Sequence, residues 1–262
     1  MPFQYSEILA KILEFLIDRG IILSRGEITM RYLSIDIETT GLTPENCDIL
    51  QFAAVIDDLK HPKPLDELPK FEAIILKRDG YQGHPYALSM HSNIFKKIDM
   101  AIKKNFEICP ITGVRFLEIC ELPQALEVFL LSNGFEQSHG RIYVNVAGKN
   151  IGQFDLPFLN AKIKDWGSIK FLSRVIDPAI LYFDIQKDIS LPDMKSCLER
   201  AGLAEEVPHT ALEDALIVVK LLRKKLLEEK CVAEEKNSQE EKLLECVQED
   251  SRQKIKSRKN KR

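Results

Sequence analysis

The side chains best suited to chemistry lie in three short segments of this chain, residues 36–41, 148–155 and 209–215. Together the segments hold four carboxylates and one histidine: Asp36, Glu38, Asp155, Asp214 and His209. Hard carboxylate oxygens are ligands that suit Mg2+ or Mn2+, and a pair of such ions can assist attack on a phosphodiester. The set therefore suits two-metal phosphodiester hydrolysis.

The first segment ends a predicted strand. Residues 31–37 are short, mainly apolar and β-rich, which indicates a buried strand. Side chains repeat every two residues in a strand, so Asp36 and Glu38 project from the same face, where they repel each other unless cations lie between them. Gly41 then permits a sharp turn and the close approach of a substrate backbone. An acidic strand end without a function is the alternative for the Asp-x-Glu pattern alone.

The second segment lies between a predicted strand, Arg141–Ala147, and a helix that opens at Phe154–Leu159. Pro157 is tolerated there because it falls in the first helical turn. Asp155 therefore lies near a helix N-terminus, where capping is the common role of an aspartate. A carboxylate at a strand-to-helix junction can also face a ligand site beyond the strand ends.

The third segment opens a predicted helix with an apolar stripe at helical spacing. The stripe consists of Leu212, Ala215, Leu216, Val219 and Leu222. Asp214 lies on a different side of this helix, and His209 is predicted to lie in the preceding loop. A loop histidine is often only exposed to solvent, but a neutral imidazole near a metal site can take a proton from water near pH 7.

The three segments resemble the sequence motifs of the DEDDh family of 3′-to-5′ exonucleases, which includes proofreading exonuclease subunits, oligoribonucleases and RNase T. The family's first Asp and Glu fall on Asp36 and Glu38, and its second-motif Asp falls on Asp155. Its third-motif His and Asp fall on His209 and Asp214. The motifs stand in the family's order and span residues 31 to about 226.

The resemblance implies a mechanism and a substrate. The four carboxylates would hold two magnesium ions, for which manganese can substitute, and His209 would act as general base. Nucleoside 5′-monophosphates would leave one at a time from single-stranded ends or short oligonucleotides. The resemblance also implies that Thr39, Thr40, Gly41 and Leu42 line the pocket for the terminal nucleotide.

The predicted elements agree with the family's RNase H-like fold. The strands are Tyr32–Ile37, Asp48–Asp58, Phe71–Lys77, Arg141–Ala147 and Arg174–Asp177. The helices are Asn93–Lys104, Leu122–Asn133, Leu156–Trp166, Leu191–Ala201 and Thr210–Lys230. The first three strands follow one another, as in an antiparallel meander, and helices then alternate with the last two. The pattern predicts an α/β fold with a mixed five-stranded central sheet flanked by helices.

We predict three parts: an N-terminal amphipathic helical extension at 1–26, an exonuclease domain at 27–227 and a charged, helical or disordered tail at 228–262. The apolar face of Ser6–Arg19 could pack on the core or mediate self-association. The basic run Arg252–Arg262 could hold nucleic-acid phosphates or only solubilise the chain. Phe106–Cys120 is predicted to be an insertion, in which Cys109 and Cys120 are buried or half-buried thiols rather than zinc ligands.

Composition narrows the possible substrates and cellular compartments of the protein. The net charge is −3, which does not indicate a basic surface for binding long duplexes. Single-stranded ends are therefore the more plausible substrate. Six scattered cysteines favour a reducing, cytoplasmic compartment, and neither a signal peptide nor a membrane span is predicted. A catalytically silent nucleic-acid-binding or partner-docking module, and a phosphatase or endonuclease on the same fold, remain as alternatives.

Overall fold

The central element of the fold is a mixed sheet of five strands in the order β4-β3-β2-β1-β6. The computed structural model describes residues 30–109, 112–203 and 210–226. The five strands are β1 (Arg31–Thr39), β2 (Ile49–Asp58), β3 (Lys70–Leu76), β4 (Arg115–Glu118) and β6 (Val146–Ala147). The β1–β2 and β2–β3 pairs are antiparallel, whereas β3–β4 and β1–β6 are parallel. The short strands β5 (Ile142–Val144) and β7 (Ile169–Phe171) pair separately in parallel.

Helices cover both faces of this sheet. They are α1 (Pro85–Met90), α2 (Ser92–Lys104), α3 (Leu122–Ser132), α4 (Asp155–Lys162), α5 (Pro178–Leu181), α6 (Met194–Ala201) and α7 (residues 211–226), with a 3-10 turn at Ile119–Glu121. None of the helices within the described residues is both long enough and apolar enough to cross a membrane.

The alternation of side chains along β1 decides which residues meet which helices. Leu33 and Ile35 pack in the cluster that includes α3 and α4, whereas Tyr32 packs in the cluster formed with α7. Ser34 lies on the α7 side too, where its Oγ donates a hydrogen bond to the Ala215 carbonyl at 2.8 Å. By the same period of two, Asp36 and Glu38 face α7.

The predicted mixed five-stranded sheet is confirmed, but its fifth strand was assigned to the wrong segment. Arg174–Asp177 makes a single bridge, between Ile176 and Ala147, because Asp177 already turns the chain and caps α5. The fifth strand is β4, which lies inside the segment predicted to be an insertion. That segment is therefore part of the central sheet, although Cys120 within it is exposed rather than buried or half-buried.

Four of the predicted helices are confirmed with shifted ends. The helix after Asp155 ends at Lys162 because Ile163 adopts an extended backbone, and the helix predicted from Leu191 begins at Met194 after the capping Asp193. Helix α7 agrees with its prediction over 211–226. The amphipathic extension at 1–26 and the tail at 228–262 lie outside the described residues.

Candidate active site

Three of the predicted acidic residues meet at one place. Asp36, Glu38 and Asp214 each offer a carboxylate oxygen, and these oxygens lie within 4.8 Å of one another. The first two project from β1 towards α7, which carries the third. The hydrogen bond from Ser34 to the Ala215 carbonyl fixes α7 against β1 one residue away from Asp214. Strand alternation and one buried hydrogen bond thus bring together groups that are far apart in sequence.

Asp155 supports this cluster from α4, of which it is the first residue. Its Oδ1 accepts a hydrogen bond from the backbone N–H of Ile37 at 3.1 Å, and its side chain is buried. Ile37 lies between the two acids of β1, so the second motif is bonded to the backbone that presents the first. The capping position itself belongs to Phe154, whose side chain makes no capping hydrogen bond.

Burial and mutual repulsion make this cluster hard to ionise. Burial, followed by the charges of Asp155, Asp214 and Glu38, raises the pKa of Asp36 well above its ordinary value. Burial, with Asp214 and Asp155, raises the pKa of Glu38 from 4.5 to about 8. Burial also raises the pKa of Asp155 to about 7, although hydrogen bonds from its own N–H and that of Ile37 oppose the rise.

The donor set of the cluster fits a divalent cation. All of its ligand atoms are carboxylate oxygens, which suit Mg2+ or Mn2+ rather than a metal that prefers thiolates. Repulsion among carboxylates this close is relieved by a cation between them. Asp36, Glu38 and Asp214 are therefore the residues that could hold a metal, with Asp155 adjacent.

His91 is a neighbour of the cluster that the sequence analysis missed. It lies between α1 and α2, is 4% exposed, and places its Nε2 3.4 Å from Glu38 Oε2. Its backbone N–H bonds to the carbonyls of Ala87 and Ser89, which fixes its position at the end of α1. The sequence signal that could have found it is His84-Pro85, because a capping residue followed by Pro in the first turn is typical of a helix start. That signal predicts α1, the helix whose C-terminal cap is His91.

A cavity of about 790 Å3 opens beside Glu38. Thr39, Gly41 and Leu42 line one wall, and Tyr86 lines the wall formed by α1. Leu42 and Tyr86 are 83% and 72% exposed, so two large apolar side chains stand at the cavity with little contact to the rest of the protein. The Tyr86 ring offers a face on which a base could stack, and Leu42 offers an apolar surface for contact beside it.

Thr40 occupies a different position from its neighbours in the first motif. It is fully buried, and its hydroxyl donates to the carbonyl of Gln82 and accepts from the N–H of Asp48. Its carbonyl accepts from the N–H of His84 at 2.8 Å. Thr40 thus ties the residue 82–84 segment, which leads into α1, to the end of β1. Its proposed contact with substrate stays a prediction.

Gly41 is required by packing. A Cβ at this position would lie 2.5 Å from the Cys47 Sγ, a separation that real Cβ atoms essentially never show. Any other residue would therefore shift either the Cys47 thiol or the turn that forms this wall of the cavity. His209, the predicted general base, lies outside the described residues, which resume at Thr210.

Comparison with solved structures agrees with the observed architecture. A crystal structure of cell-death related nuclease 4 (CRN-4) matches with a TM-score of 0.52 and 14% sequence identity, over 76% of this chain and 64% of that one. The match thus spans less than two thirds of the neighbour's length. No protein-family model matches the sequence, and no curated protein matches it. At this identity the likeness concerns the fold, which is α/β and RNase H-like, as the sequence predicted.

Proposed function

We propose that this chain is a metal-dependent 3′-to-5′ exonuclease that releases nucleoside 5′-monophosphates from single-stranded ends of DNA or RNA. The observation that carries the proposal is the cluster of Asp36, Glu38 and Asp214, with oxygens within 4.8 Å, beside an open cavity. The RNase H-like fold and the likeness to a structure named as a nuclease support it. The direction of attack rests on the resemblance to the DEDDh motifs.

The residues of the site would have separate roles in metal binding and proton transfer. Asp36, Glu38, Asp155 and Asp214 would bind the metal, and the raised pKa values of Glu38 and Asp155 indicate how strongly they need a counter-charge. Two divalent ions bound there would supply activation of water and neutralise charge on the leaving 3′ oxygen. His209 would take the proton from the attacking water.

The cavity would receive the terminal nucleotide of a single strand. Thr39 and Gly41 lie next to Glu38 along the wall, close to where the scissile phosphate would be held. Leu42 and Tyr86 would contact the base through their exposed apolar surfaces. An unpaired end can enter such a cavity one nucleotide at a time, which suits single strands and short oligonucleotides.

The test uses 5′-labelled and 3′-labelled single strands of matched DNA and RNA, incubated with Mg2+ and with or without a chelator. We expect a ladder that shortens from the 3′ end and disappears with chelator. Internal cuts would indicate an endonuclease, and binding without any cleavage would indicate a silent module. Either of these two results contradicts the proposal.

Two variants test the roles of individual residues. Asp214→Asn should abolish cleavage because it removes a metal ligand, whereas Glu213→Gln, its exposed neighbour on α7, should cleave at the parent rate. His209→Ala should slow cleavage strongly and leave metal affinity largely unchanged. Cleavage by Asp214→Asn at the parent rate would show that the carboxylate cluster is not the active site.

A further inference from the structure

A second feature, apart from the carboxylate cluster, is an apolar surface on the segment between α5 and α6. We call residues 180–191 the 180–191 surface. Ile185 is 84% exposed and Ile189 is fully exposed. Ile180 is 60% exposed and Leu191 is 48% exposed. These four side chains fall within twelve residues of sequence, and exposed apolar patches commonly mark an interaction site.

Two polar side chains of this segment, those of Tyr182 and Asp188, bond to the rest of the protein, whereas Gln186, Lys187 and Ser190 are exposed. The Asp188 carboxylate accepts from both terminal nitrogens of Arg200, at 2.5 and 2.6 Å, and from the N–H of Asp184 at 2.8 Å. Arg200 also donates to the carbonyl of Tyr182, whose hydroxyl donates to the carbonyl of Leu221. These bonds fix the segment on α6 and α7 with its isoleucines turned outward, so the surface is pre-organised.

The end of α7 lies beside this segment, and the first described residue lies on the other side of that helix. Near the end of α7, the Lys225 Nζ lies 5.7 Å from the centre of the Tyr182 ring. Less than one turn earlier on the same helix, Arg223 pairs with Asp57 on β2. The next residue of β2, Asp58, accepts from the N–H of Met30, the first described residue. Residues 1–29 therefore join the fold near the end of α7, across that helix from the 180–191 surface.

The N-terminal segment has the matching chemistry. Residues 6–19 carry apolar side chains at helical spacing: Ile8, Leu9, Ile12, Leu13, Phe15 and Leu16. The ten residues 20–29 can span about 33 Å when extended, which is sufficient for residues 6–19 to reach a surface at this end of the fold. The other terminal segment, 228–251, is dense in Glu, Lys and Gln and has few apolar residues with which to cover isoleucines.

We infer that residues 6–19 dock through their apolar face on the 180–191 surface of the same chain. A tethered segment of this length meets its site at an effective concentration of about millimolar, which favours it over a second copy at ordinary concentrations. The inference is independent of the exonuclease proposal, because no residue of the carboxylate cluster takes part in it.

The test is hydrogen–deuterium exchange on the full chain, comparing the parent with the double variant Ile12→Asp/Leu16→Asp. We expect amides within 180–191 to exchange about tenfold faster or more in the variant, because the covering segment is lost. The reciprocal variant Ile185→Asp/Ile189→Asp changes only exposed side chains and should speed exchange within 6–19 equally. Val128→Asp, at an exposed apolar position on α3, is the matched control and should change neither region.

Two results would overturn the inference. Exchange within 180–191 that is the same in the parent and in the Ile12→Asp/Leu16→Asp variant would show that residues 6–19 do not cover this surface. Protection that appears only as protein concentration rises, together with a dimer in sedimentation, would assign the surface to a second copy instead. Protection that is independent of concentration and lost in both double variants supports docking within one chain.

Discussion

Replacing Glu38 by glutamine is expected to stabilise the metal-free protein. Burial and the neighbouring charges of Asp214 and Asp155 raise the pKa of Glu38 from 4.5 to about 8, so the folded protein resists ionising this group. Holding it ionised in the absence of metal corresponds to a destabilisation of at most about 5 kcal/mol. Relaxation and water entry reduce this, and we expect about 2–4 kcal/mol, or a rise in Tm of about 4–15 °C for a domain of this size.

The sign of the effect depends on pH. Because the pKa of Glu38 is higher in the folded than in the unfolded protein, the stabilising effect of its bound proton is complete below about pH 4.5 and is lost as pH rises through about 8. Glutamine resembles the protonated side chain and does not titrate. The parent and Glu38→Gln should therefore melt at similar temperatures at pH 5, and the variant should melt higher at pH 9.

Thermal unfolding followed by circular dichroism, with chelator present at pH 5, 7 and 9, measures this difference. Glu213→Gln serves as the control, since its side chain is exposed and should not change the pH dependence. Adding Mg2+ at pH 8 should raise the Tm of the parent more than that of Glu38→Gln, because the metal relieves repulsion that the variant has already lost. Equal melting temperatures at pH 9 in chelator would refute the electrostatic reasoning.

Three further changes probe the surroundings of the site and the core. His91→Leu removes the contact with Glu38 and should weaken Mn2+ binding about 10–100-fold in calorimetric titration. His84→Asn, a change on the same cavity, should leave the affinity unchanged, and equal affinities for both variants would contradict a role of His91 in supporting the cluster. Arg223→Met leaves the buried Asp57 carboxylate without its guanidinium partner and should lower the free energy of unfolding in urea by about 3–5 kcal/mol. A loss below about 1 kcal/mol would mean that water replaces the guanidinium beside Asp57. Gly41→Ala should lower it by about 1–3 kcal/mol, since the new Cβ would overlap a cysteine thiol, and an unchanged urea midpoint would show that the turn adapts.

The acidic pair on β1 could be predicted from sequence because it depends on local periodicity. The alternation of β1 places Asp36 and Glu38 on one face, but Asp214 lies on the buried face of α7 that packs against β1 and not, as predicted, on a different side of the helix from the apolar stripe. The placement of the two acids of β1 needs only the period of two residues, whereas the buried face of α7 also includes Ala211 and Val218, which the predicted stripe left out. The motif order then supplied the partnership between these elements, which periodicity alone does not give.

The parts that sequence analysis missed depend on contacts between distant segments. Strand β4 has only four residues, of which one is buried, so its alternation of apolar and polar side chains is too short to distinguish from a loop. Arg174–Asp177 has the composition of a strand but is diverted because Asp177 caps α5 and bonds the backbone of Asn150. His91 reaches Glu38 from the end of α1, and the 82–84 segment that leads into α1 is tied to Thr40, an interaction that no local pattern reports.

The same tertiary contacts explain why the acidic cluster can form at all. Repulsion opposes bringing Asp36, Glu38 and Asp214 together, so the surrounding fold must hold them there. Buried bonds outside the cluster do this: Ser34 fixes α7 on β1, and the Ile37 N–H binds Asp155. The energy of these contacts and of the packed sheet keeps the carboxylates close in the absence of a cation. If the cluster binds a divalent cation, as we propose, a site built in this way would be less stable without the cation and pre-organised to receive it.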